Sequence, residues 1–171
     1  MTIGLVPAAG ARPTVAVMTE INGLRLAYRG FVTGLAAAYV WLAVAMSAAG
    51  FLAADPLAPL RPLASTLVVS GEVTPALAFV IGFAMVQAAG GLVGMCFAYF
   101  FGRFFTVRRT MSLAAPVVAL LAWALLAAGV GTLIGSDVLA LQLAPVLASV
   151  AYGAILGIGV PIRAEVTRSR P

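Results

Sequence analysis

The chain has 171 residues, 63% of them hydrophobic and 9% charged, with a mean hydropathy of +1.13. Soluble domains use about 45–50% apolar residues, so an aqueous fold around a buried core is excluded and lipid is the expected solvent. The formal charge of +5 rests on arginine alone, with no lysine, and its position beside apolar stretches reads as membrane topology rather than nucleic-acid binding.

Residues 1–17 mix Gly, Pro and small apolar residues, and Met18 offers a second start. Pro7, Gly10 and Pro13 interrupt any continuous apolar core there, so this stretch does not read as a signal peptide. From Glu20 to Arg29 the pattern predicts a short interfacial helix, with Ile21, Leu24 and Tyr28 on one side and Arg25 and Arg29 on the other.

Charge-free apolar stretches then run over 30–54, 73–102, 110–136 and 138–162. Each reaches the roughly 20 residues a helix needs to cross the hydrocarbon layer. The expected fold is all-α: a polytopic membrane protein with four transmembrane helices in a compact bundle. Its parts are an N-terminal segment over 1–29, a transmembrane domain over 30–162 and a tail over 163–171.

Arg25, Arg29, Arg103, Arg108, Arg109 and Arg163 flank the spans on one side, with Arg168 and Arg170 beyond, while Arg61 stands alone on the other with Asp55, Glu72 and Asp137. The positive-inside rule places both termini and the middle loop in the cytoplasm of a cell-membrane protein.

The first outer loop carries Pro56, Pro59 and Pro62, a spacing that favours a polyproline II turn. The apolar run from Leu63 to Val69 should dip into the interface or pack over helix ends. Thr74 before Pro75 reads as an N-cap with proline at the first helical position, and Ser136-Asp137 as the cap of the last span. Capping and topology account for the outer acids, so no metal site is expected.

Phe97, Tyr99, Phe100, Phe101, Phe104 and Phe105 read as an aromatic belt at headgroup level. Cys96, the single cysteine, reads as a small packing residue and excludes an intramolecular disulfide. Histidine is absent, which removes bis-imidazole haem ligation and histidine proton relays; no cofactor is expected.

Transmembrane helices associate through close packing, which small residues four apart permit. Such pairs are Gly30 and Gly34, Gly90 and Gly94, Gly131 and Gly135, and Gly153 and Gly157, one pair in each span. Intramembrane polar residues are Thr33, Gln87, Thr132, Gln142, Ser149 and Tyr152, none ionised at neutral pH. Gln87, in mid-span, should face another helix and share hydrogen bonds as a clamp. Pro145 is expected to bend the last span, and Pro116 to matter less.

The two halves echo each other. Gly90-Gly-Leu-Val-Gly94 aligns with Gly153-Ala-Ile-Leu-Gly157, and Trp41 and Trp123 hold comparable places, as in a duplicated two-helix unit of parallel orientation. The string Gln87-Ala-Ala-Gly90-Gly-Leu-Val-Gly94, with Ala151-Tyr152-Gly153-Ala-Ile-Leu-Gly157 later, resembles a family of uncharacterised four-helix prokaryotic membrane proteins. Members commonly carry a histidine just ahead of each glycine pair; this chain has none, so that residue's role does not transfer.

The residues lack a nucleophile with a base or a metal, so the chain is not read as an enzyme. The expected role is a structural or accessory subunit, or a homo-oligomer packed through glycine-lined faces, with the bilayer and other membrane subunits as partners. The alternative is a small transporter or channel component with a weakly polar path between the second and fourth spans, lined by Gln87, Ser149 and Tyr152.

Overall fold

The computed structural model describes residues 23–68, 72–102, 104–105, 107–134 and 143–161, without the side chains of 130, 131, 133 and 134. Every regular element among them is an α-helix: α1 (Gly23–Ala53), α2 (Arg61–Ser65), α3 (Pro75–Phe101), α4 (Arg108–Ile134) and α5 (Leu143–Gly159).

Three helices, α1, α3 and α4, are long and apolar enough to cross a membrane. Hydrocarbon offers no partner for a bare N–H or C=O, so an apolar segment of this length closes its hydrogen bonds within itself as a helix. With 31 residues α1 is about 46 Å long at 1.5 Å per residue, more than the ~30 Å hydrocarbon layer. The described α5 has 17 residues, at the short end of the roughly 17–25 that span a bilayer.

The helix ends follow local chemistry. Thr74 accepts a hydrogen bond from the Leu77 amide at 3.3 Å, and Pro75 opens α3 where no intrahelical donor is needed. After α1 the backbone turns left-handed at Ala54 (φ 55°), and the Asp55 carboxylate accepts from the Leu57 amide at 3.1 Å.

Two local expectations change. The segment from Gly23 to Arg29 does not form a separate interfacial helix but the first turns of α1, with Leu26 buried and Leu24 and Tyr28 exposed. The proline loop forms turns and the short helix α2 instead of polyproline II, because Leu60 is drawn wholly into the interior against Gly82 of α3. The amide of Leu60 donates to Leu57 and that of Ala64 to Leu60, closing bonds that polyproline II leaves to water.

The long helices stand in the order α3, α1, α5, α4, each antiparallel to its neighbour, while α3 and α4 at the two ends scarcely meet. One end of the bundle therefore gathers Arg25, Arg29, Arg108 and Arg109, and the other carries Asp55, Arg61 and Glu72. The cap at Ser136-Asp137, and Arg103 and Arg163, lie outside the described residues.

Candidate functional site

Glycine seams hold the helices. Gly30, Gly34 and Ala38 of α1 run against Ala98, Gly94 and Gly90 of α3, all at four-residue spacing and in antiparallel order. A Cβ on Gly94 would lie 2.6 Å from the Gly34 Cα, and one on Gly90 would lie 2.6 Å from the Ala38 Cβ, so neither backbone leaves room for a side chain. In the second seam, Gly153 and Gly157 of α5 lie against Pro116 and Ser112 of α4; a Cβ on Gly157 would come within 2.7 Å of the Ser112 Cα.

The surroundings of Gly131, and Gly135 and Gln142 altogether, fall outside the described residues. The seam partners on α4 are instead Ser112, Ala115 and Pro116, which glycine spacing does not reveal. Pro116 lies inside α4, and Pro145 is the third described residue of α5.

Two buried hydrogen bonds tie α5 to α1 and α3. The Trp41 indole Nε1 donates to Ser149 Oγ at 3.1 Å, and the Tyr152 hydroxyl donates to the Gly90 carbonyl at 2.5 Å. Gly90 has no side chain, so its carbonyl stays open to that hydroxyl. At the arginine-bearing end, the Arg108 guanidinium donates to the Val160 carbonyl, meeting the negative end of the α5 dipole.

Between α3 and α4 lies a half-open cavity of about 190 Å³. Its walls include Ala38, Trp41, Gly90, Trp123, Ser149 and Tyr152, and Pro59, Pro62 and Leu63 roof it. Both tryptophans of the chain line it, which periodicity alone does not suggest since they lie on different helices. Gln87 does not. Its amide nitrogen and oxygen are buried without a hydrogen-bond partner, so the expected clamp is absent.

Among the aromatic residues near the end of α3, Phe97 is buried and stacks on Phe101 at 5.2 Å, which stacks on Phe105 at 6.0 Å. Tyr99, Phe100 and Phe104 face outward, so only part of that cluster can serve as a belt. Cys96 is likewise exposed on the outer face of α3 rather than packed. Thr132 is exposed, its hydroxyl donating to the Gly129 carbonyl at 2.8 Å, and Thr33 touches Gly159 of α5.

Chemically, the site can pack and enclose; among the described residues, no group of His, Cys, Asp or Glu side chains stands ready to hold a metal ion. Compared with protein-family models, curated proteins and solved structures, the chain finds no match.

Proposed function

We propose that this chain is a four-span protein of the cell membrane, with both termini cytoplasmic, that works without catalytic chemistry as a structural or accessory subunit. The collection of Arg25, Arg29, Arg108 and Arg109 at one end supports that orientation, since cations are retained on the cytoplasmic side. The start of α1 and the end of α5 lie at that same end, which supports placing both termini there.

The observation that carries the role is where the small and polar residues point. Gly30, Gly34, Gly90, Gly94, Gly153 and Gly157 join helices of one chain, while Trp41 bonds to Ser149 across α1 and α5 and Tyr152 to Gly90 across α5 and α3. These groups build a rigid bundle. A partner subunit or a second copy then meets the outward faces, such as the row Leu113, Val117, Leu121 and Leu125 on α4, not the glycine faces.

The transport alternative has weaker support, because Ser149 and Tyr152 reach the cavity while Gln87 does not, which leaves no polar route. Extraction into native-membrane nanodiscs, followed by mass measurement, tests the proposal. A stoichiometric partner or a defined oligomer is expected; a lone monomer that conducts solute in proteoliposomes would overturn it.

A further inference from the structure

We infer that the cavity between α3 and α4 is a binding site for one hydrocarbon chain of a bilayer lipid, entering sideways from the leaflet on the α2 side. This rests on the bilayer placement proposed above and is independent of the subunit role.

The way in is lateral. Because α3 and α4 scarcely meet, the cavity is open along the flank of the bundle, whereas its end is roofed by Pro59, Pro62 and Leu63. That roof is anchored, since Leu60 is wholly buried on Gly82 and the Thr66 hydroxyl reaches Met85 Sδ at 3.8 Å. At the flank, the rim residue Leu126 is 48% exposed, and its neighbour Leu125 and Leu92 of α3 continue the apolar surface outward. The cavity is thus continuous with the lipid-facing surface of the helices and closed toward the water.

The lining selects hydrocarbon. No charged side chain contributes to it, and the Trp41 indole and the Tyr152 hydroxyl are already bonded to Ser149 and Gly90, which leaves the Trp123 indole and the Ser149 hydroxyl as the donors of an otherwise apolar lining. A polar solute would recover little of its hydration there, while a methylene chain loses nothing. Apolar cavities of this kind stay dry, and one of about 150 Å³ accepts benzene; at about 190 Å³ this one has room for a chain segment. Left empty, its lining would forgo dispersion contacts that lipid chains in the surrounding bilayer can supply.

The two tryptophans provide the test, since Trp123→Phe leaves Trp41 as the sole indole, 8% exposed at the cavity floor. The full chain is reconstituted into phosphatidylcholine vesicles with or without bromine in mid-chain, and flotation checks insertion. Trp41 emission should drop by at least half in the brominated lipid. Adding Ala122→Phe, or Ala89→Phe where the first fails to fold, places a ring in the cavity and should restore most of that emission.

Equal emission in the two lipids would overturn the inference, as would quenching that neither cavity-filling change relieves. Protein that does not float with the vesicles would instead sink the bilayer placement, and this site with it.

Discussion

The seam between α1 and α3 and the seam between α4 and α5 solve one problem with different residues. In the first, glycines face each other from both helices, Gly30 and Gly34 against Gly90 and Gly94. In the second, only α5 supplies glycine, and Gly153 and Gly157 receive Pro116 and Ser112 of α4. The register is nevertheless shared, for Trp41 follows Gly34 by the same seven residues that separate Trp123 from Pro116, and both indoles reach the same cavity. Close approach in lipid therefore needs a bare backbone on one side of the contact at least.

The strongest way to break that comparison is Gly94→Leu. With the Gly34 backbone opposite and no flexible side chain to yield, the loss should exceed about 3 kcal/mol, beyond the roughly 1–3 kcal/mol of ordinary overpacking. Thermal unfolding in mild detergent, followed by tryptophan emission, would register it as a fall in midpoint or as failure to fold. Gly153→Leu meets the Pro116 and Ala115 backbone with equally little give, so it should also cost more than about 3 kcal/mol in the same assay, separating α4 from α5 while α1 and α3 stay together. A clearly smaller loss at Gly153 would show that the opposing glycine tightens the first seam.

Smaller effects sharpen the picture. Ser149→Ala leaves the buried Trp41 N–H without its acceptor and should cost about 1 kcal/mol, near the 0.6–1.7 kcal/mol range of hydrogen bonds between membrane helices. A red-shifted or unchanged Trp41 emission would tell whether the indole finds water or stays dry.

Gln87→Leu should leave stability unchanged or raise it by up to about 1 kcal/mol in the same assay, because the amide it removes is buried and unpaired. A clear drop would mean that the amide holds a bond in the bilayer that the present packing lacks. Least of all, Gly129→Ala should stabilise by about 0.5–1 kcal/mol or less, since nothing lies within 4 Å of the added methyl and alanine is the better helix former.

Much of the fold is legible in the residues. Apolar length and the lack of internal charge mark α1, α3 and α4, and Thr74-Pro75 marks where α3 begins. Glycine spacing also points to faces able to pack closely, but it does not say against what. Gly34 meets Gly94 rather than another copy of the chain, and Gly153 meets Pro116, a proline with nothing in its sequence context to mark it as a contact. Leu60 likewise reads as loop in a proline-rich string until Gly82 takes it in. The cavity is wholly outside the reach of the sequence, because its tryptophans are far apart in the chain.

By itself the sequence determined the solvent: long runs without charge must satisfy their backbones internally and bury their side chains in lipid, which leaves the helix as their form. Which helix faces which, and which polar group finds a partner, only the tertiary structure decided. Lipid surrounds every apolar face equally well, so the choice among faces depends on steric fit between particular backbones, a property of pairs that no single stretch of sequence contains.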